Sequence, residues 1–351
     1  MNSRERIAAI MDFRIPDRVG MFDWFWPGAI ERWKREGLPE NVDLHRHFGF
    51  DLVQVGYDQS FRFEQKILEE NDETYVEQNN FGMTWRMWKG TWSGAPHQLD
   101  TLIKTRADWE KYKDRFAPAA DRVPDDIGET TRRFHDEGYY VTYWYLEPFE
   151  LAWRFLGFKE TLLLMAADPE LLGEIFEACA DQVIGCYEAA VAKGAEYDGN
   201  FAGGDIAGKN GPLFSPKMYR DLLMPHHRRI FSHLNERGAP TLYHGDGDDR
   251  LILEDLIEAG VRALHPLEAK AGMDLRELKP RVRDRMVLFG GIDVRALGGA
   301  KEDIEREIRS KVPTAMEGGG YIYCVDHSVA PTVSLENYEY ALSLVREIGV
   351  Y

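Results

Sequence analysis

Pro240-Thr241-Leu242-Tyr243-His244-Gly245-Asp246-Gly247-Asp248-Asp249 is the stretch on which the fold turns. Thr241-Leu242-Tyr243 is an apolar run long enough for a buried strand and no longer. It breaks into a loop where glycines alternate with imidazole and carboxylate. Residues at i and i+2 beyond a strand end lie about 7 Å apart and point the same way, as the first two ligands of a metal must. Leu251 to Ala259 then reads as a helix closed by Gly260. Strand, polar loop and helix form the unit of a parallel α/β protein, whose loops carry the chemistry. We read Asp248 and Asp249 as caps of that helix, and His244 and Asp246 as functional.

The same unit recurs on both sides. Upstream runs are Val19–Phe22, Asp51–Val55, Tyr139–Trp144 and Tyr197–Phe201; downstream ones are Arg262–His265, Met286–Gly291 and Tyr321–Tyr323. Helical patterns separate most of them, among them a long one opened by Asp168-Pro169 and another by Ser215-Pro216. About eight strands alternating with helices, and no composition break, predict an α/β fold of one TIM-type (β/α)8 barrel spanning residues 1–351. A doubly wound open sheet is the alternative, but no glycine-rich loop here has the spacing of a dinucleotide or P-loop motif. Thr241–Tyr243, Val287–Phe289 and Tyr321–Tyr323 should be neighbouring parallel strands of the closed barrel.

One region breaks the rhythm. Thr74–Glu77 and Met83–Trp88 alternate at period two around Asn79-Asn80-Phe81-Gly82, which predicts a β-hairpin inserted after the second strand, roughly 61–92. An isolated hairpin cannot bury Trp85 and Trp88 on its own. One face should pack on the barrel and the other close over its mouth or meet a second subunit of a homodimer.

Composition narrows the function. The chain has 351 residues, 44% of them hydrophobic, enough for a large core. A net charge of −17 argues against nucleic acid and anionic membrane as partners and says nothing positive about the substrate, which we expect to be a small molecule. Cys179, Cys186 and Cys324 form no CxxC pair, the start is polar, and no run approaches membrane length, so a cytoplasmic protein is expected.

In a barrel, the residues just beyond each strand converge on one mouth. That face would gather Asp58, Glu147, Asp205, His244, Asp246, His265, Glu268, Asp293, Cys324, Asp326 and His327. Two chemistries suit such a set: a divalent metal on histidine and carboxylate, or metal-free acid–base catalysis. Imidazole and thiolate donors favour Zn²⁺ over Mg²⁺ or Ca²⁺.

The later sequence resembles the uroporphyrinogen decarboxylase superfamily, which includes zinc methyltransferases that serve corrinoid proteins. The resemblance rests on His244-Gly-Asp-Gly247, Asp255–Val261, Pro266-Leu-Glu268, Gly290-Gly-Ile-Asp293, Gly319-Gly-Tyr-Ile322, Asp326-His327 and Glu336-Asn-Tyr338. Ser215-Pro216, Tyr219 and Pro225 extend it upstream, to about the C-terminal half. It implies the same barrel that the strand count suggests.

Within that superfamily, true uroporphyrinogen decarboxylases carry an arginine-rich Met-Arg-Gln-Ala-Gly-Arg signature. Here the corresponding place reads Phe22-Asp23-Trp24-Phe25-Trp26-Pro27, a poor host for a polycarboxylated porphyrinogen. The corrinoid-linked enzymes hold zinc on His-x-Cys and a later Cys. Here the first pair is His244-x-Asp246, and the later position aligns nearer His327 than Cys324. The resemblance thus implies zinc on His244, Asp246 and His327, with Cys324 in reserve, and methyl transfer between a small methylated substrate or a thiol and a corrinoid protein. Asp205, Glu147 and Asp58 are the expected catalytic carboxylates. The runner-up is a cofactor-free decarboxylase in which Asp205 or Asp58 stabilises a protonated intermediate. A non-catalytic partner of a corrinoid protein is the third class.

Overall fold

The computed structural model of the chain describes residues 1–89 and 96–351. Its centre is eight parallel strands: β1 Gly20–Met21, β2 Leu52–Val55, β3 Tyr140–Leu146, β4 Gly199–Gly203, β5 Thr241–His244, β6 Val261–His265, β7 Val287–Phe289 and β8 Tyr321–Tyr323. Their order is β1-β8-β7-β6-β5-β4-β3-β2. β7 pairs with β8 as expected, whereas β6 stands between β5 and β7. Helices such as Pro169–Ala192, Met224–Glu236 and Lys301–Met316 form the outer layer.

The short apolar runs form strands because both faces are buried. In β7, Val287 and Phe289 face the barrel interior while Leu288 packs under the helices; β8 alternates likewise, with Ile322 inside. Phe22, Phe201, Leu242 and Phe289 fill the interior, each contributing about 1.5–3 kcal/mol on burial. Helix Ser3–Met11 plugs the lower end with Ile7, Ile10 and Met11.

The barrel is nearly closed, for no ladder joins β1 to β2. Asp51 bridges this seam. Its backbone N–H donates to the Met21 carbonyl at 2.9 Å, and its carboxylate accepts from the Met21 N–H at 2.8 Å.

The insertion is larger than a hairpin. Thr74–Gln78 and Met83–Trp88 pair as expected, but Lys66–Glu70 and His97–Thr101 flank them in a four-stranded antiparallel sheet. The inserted sheet therefore reaches Thr101; Gly90 to Ala95, which include Trp92 at the expected end of the insertion, lie outside the described residues. Its third strand packs on helix Pro148–Leu156. Trp85 is half-buried and donates to Glu77 at 2.7 Å, while Trp88 is 44% exposed among the described residues. Among the described residues, no helix is long and apolar enough to cross a membrane.

Candidate metal centre

The ends of β4, β5 and β6 are stitched together by backbone bonds. The Gly204 N–H donates to the His244 carbonyl, and the Gly245 N–H to the His265 carbonyl, each at 2.9 Å. The Asp246 N–H then donates to Asp205 Oδ1 at 2.9 Å. Gly247 is required where the loop turns: its φ is +103°, and a Cβ there would lie 2.6 Å from the Ala207 backbone. The loop so held brings ligand atoms of Asp205, His244 and Asp246 within 4.8 Å of one another. His244 Nε2 lies 3.8 Å from Asp205 Oδ1, and His327 Nε2 from the loop after β8 lies 3.4 Å from Asp246 Oδ2.

Two cavities meet at this cluster. One, of about 210 Å³, is lined by Trp24, Trp26, Asp246, His265, Cys324 and His327. The other, of about 310 Å³, is lined by Trp144, Glu150, Arg154, Gly204 and Asp205. Trp24 and His244 wall both, so they form a two-lobed chamber with the imidazole between the lobes. Trp24 packs edge-on to His244 with ring centroids 4.8 Å apart, and Trp26 stacks over His327 at 6.0 Å. A larger cavity of about 590 Å³ lies between the inserted sheet and helix Phe158–Ala167, but it gathers no imidazole or thiol.

Electrostatics favour a cation in the chamber. Burial, reinforced by Asp205, raises the Asp246 carboxyl to about 7. Burial also raises Glu150 to about 7, with Arg154 opposing and Asp205 adding to the shift. Burial lowers His244, His265 and His327, which keeps the imidazoles neutral and their lone pairs available. Asp246 Oδ1 is buried without any hydrogen-bond partner. Neutral imidazoles and a carboxylate with an orphaned oxygen fit a divalent ion of the zinc type.

The structure gathers some of the expected residues and not others. Asp205, His244 and Asp246 converge, and His327, outside that three-residue cluster, reaches it through Asp246. Cys324 borders the chamber, but its buried thiol lies 3.4 Å from His265 Nε2 and outside the three-residue cluster. Glu147 is fully buried behind Gly204 and does not itself line the chamber. It accepts from the Phe149 and Glu150 N–H groups, capping helix Pro148–Leu156, and from His227 Nε2 at 2.8 Å. Asp58 is turned to Arg62 and Ser60, at 2.7 Å from each. Burial would raise its carboxyl, but those hydrogen bonds outweigh burial and hold it below its usual range. Asp248 and Asp249 do not cap helix Leu253–Ala259, whose preceding residue is Ile252. Asp248 pairs with Arg250, and both oxygens of Asp249 are buried without partners.

Glu150 escaped the sequence reading. Its signal was the Glu147-Pro148-Phe149-Glu150 helix start, where the first carboxylate caps and the second, three residues on, faces the chamber.

Comparisons with known proteins agree with this architecture. The family described as uroporphyrinogen decarboxylase (URO-D) matches residues 73–348. A uroporphyrinogen decarboxylase of Thermus thermophilus is 30% identical over 138 residues, 38% of each chain. One from Psychromonas ingrahamii is 26% identical over 199 residues, 55% of this chain and 53% of the relative. The chain thus spans about half or less of the curated relatives' length in these matches. A solved methyltransferase from Methanosarcina mazei shares the fold at a TM-score of 0.70 and 19% identity, over 99% of this chain and 98% of that one. With most of its length matched, the chain belongs to the uroporphyrinogen decarboxylase family.

Proposed function

We propose that the chain is a metal-dependent methyltransferase that moves a methyl group between a small methylated substrate or thiol and a corrinoid protein. The observation that carries this reading is the Asp205, His244 and Asp246 donor set beside an unpartnered, buried Asp246 oxygen. His244, Asp246 and His327 would hold Zn²⁺, with Asp205 as a further oxygen donor. Held there, zinc would supply Lewis acidity toward a thiol acceptor or a methyl donor. Trp24 and Trp26 pack against the His244 and His327 rings, and Glu150, near neutrality, can give or take a proton in the neighbouring lobe. The fold shared with the Methanosarcina methyltransferase supports the choice.

The second reading is a cofactor-free decarboxylase of an organic acid, favoured by the names of the curated relatives. Asp205 would then stabilise a protonated intermediate. The Phe22–Pro27 segment that replaces the arginine-rich signature speaks for an acid of low charge.

Mixing the zinc-loaded protein with a methylated corrinoid protein and a thiol tests the first reading. Demethylation of the corrinoid should appear as an absorbance change that His244→Ala abolishes. No change with wild-type protein, over a panel of thiols and methyl donors, would reject it.

A further inference from the structure

Behind His244 runs a file of buried polar groups that the proposed function leaves unused. His244 Nδ1 faces His265 Nδ1 at 2.8 Å. His265 Nε2 lies 3.4 Å from Cys324 Sγ. Asp23, close to the Cys324 thiol, accepts from the Val325 N–H at 2.7 Å and from the Tyr338 hydroxyl at 2.6 Å. Asp23, His265 and Cys324 are each at most 2% exposed.

The pairing leaves two proton arrangements. Two neutral imidazoles meeting through Nδ1 atoms share a single proton. If His265 carried it, His244 would bear its proton on Nε2, where the Asp205 oxygen at 3.8 Å is too far to accept. Cys324 would then spend its S–H on His265, and the buried Asp23 would lose a donor. If His244 carries it, each group finds a partner: His244 Nδ1–H to His265 Nδ1, His265 Nε2–H to Cys324 Sγ, and Cys324 S–H to Asp23.

We propose that Asp23, Cys324 and His265 form a directional hydrogen-bond relay that fixes the His244 tautomer and leaves its Nε2 lone pair facing Asp205 and Asp246. Cys324 and His265 are then positioning residues rather than ligands. This use of the relay rests on the metal reading above, but the proton arrangement is a property of the metal-free protein and is measured there. A buried partner on the far nitrogen is what orients a metal-binding imidazole.

The test is ¹⁵N-histidine NMR on the chelator-stripped full chain at pH 8. His244 should be protonated at Nδ1 and bare at Nε2, and His265 the reverse. A proton on His244 Nε2 overturns the relay. Cys324→Ser, which keeps a donor and an acceptor, should preserve both tautomers. Cys324→Ala should mix them and weaken Zn²⁺ binding by about 10–100-fold. Unchanged tautomers in Cys324→Ala would also overturn the proposal. So would a thiolate-to-cobalt charge-transfer band in the Co²⁺-loaded protein, since it would make Cys324 a ligand. The expected tautomers in a wild-type protein that takes up no Zn²⁺ would uphold the relay and refute the metal centre instead.

Discussion

Asp51 and Asp246 are both acidic residues set in the barrel, at opposite ends. Asp51, at the start of β2, is fully buried and fully answered: it accepts from Ser3, Arg6, Arg18 and the Met21 N–H, all within 3.0 Å. Asp246, past the end of β5, keeps one oxygen with no partner and the other 3.4 Å from His327. The same carboxylate is a clasp at one end and an unfilled valence at the other. Barrels divide stability and chemistry between their two ends, and here the division is visible in hydrogen-bond satisfaction alone.

The largest effect should come from the clasp. Asp51→Ala opens the seam and takes from Ser3, Arg18 and the Met21 N–H their shared acceptor, while Arg6 keeps Asp17; we expect a loss of roughly 3 kcal/mol in urea unfolding. A loss under about 1 kcal/mol would erase the contrast between the two ends. Glu147→Ala comes next. It uncaps helix Pro148–Leu156 and strands a fully buried His227, at a cost of roughly 2 kcal/mol, while zinc affinity stays within a few-fold. Affinity falling in step with stability would move Glu147 into the chamber chemistry.

Asp23 supplies an intermediate case. Burial raises its carboxyl to about 7, against the opposing hydrogen bonds from Tyr338, Val325 and Cys324. The folded chain therefore keeps a proton that the unfolded chain releases near pH 4. That contribution is complete below about pH 4 and is lost as the pH rises through about 7. Wild-type melting temperature should drop from pH 5 to pH 8 by more than that of Asp23→Asn; parallel profiles would contradict the shift. The smallest effect belongs to Asp246→Asn in metal-free protein. Removing an unanswered buried carboxyl should change stability by less than about 1 kcal/mol, and in the stabilising direction.

The barrel was legible because parallel strands buried on both faces must be short apolar runs, and Tyr321–Tyr323 falls where the pattern placed it. The outer strands of the inserted sheet were not. Lys66-Ile-Leu-Glu-Glu70 is exposed throughout and His97-Gln-Leu-Asp-Thr101 nearly so, and neither alternates. Nothing apolar needs hiding there, so only pairing with a neighbour reveals them. His244 and Asp246 could be read from i,i+2 spacing at a strand end. Glu150 and His265 could not be ranked, since one owes its place to a helix start and the other to a contact across 21 residues. Asn2 caps the first helix, while the Ser3 hydroxyl is drawn off to Asp51.

Calorimetric titration of the chelator-stripped protein with Zn²⁺ tests the metal centre most directly. We expect one ion per chain, with affinity falling more than about 100-fold in both His244→Ala and Asp246→Ala, while far-UV circular dichroism is unchanged. Wild-type protein that binds no Zn²⁺, or variants that bind it as tightly as wild type, would contradict the assignment of these residues as its ligands.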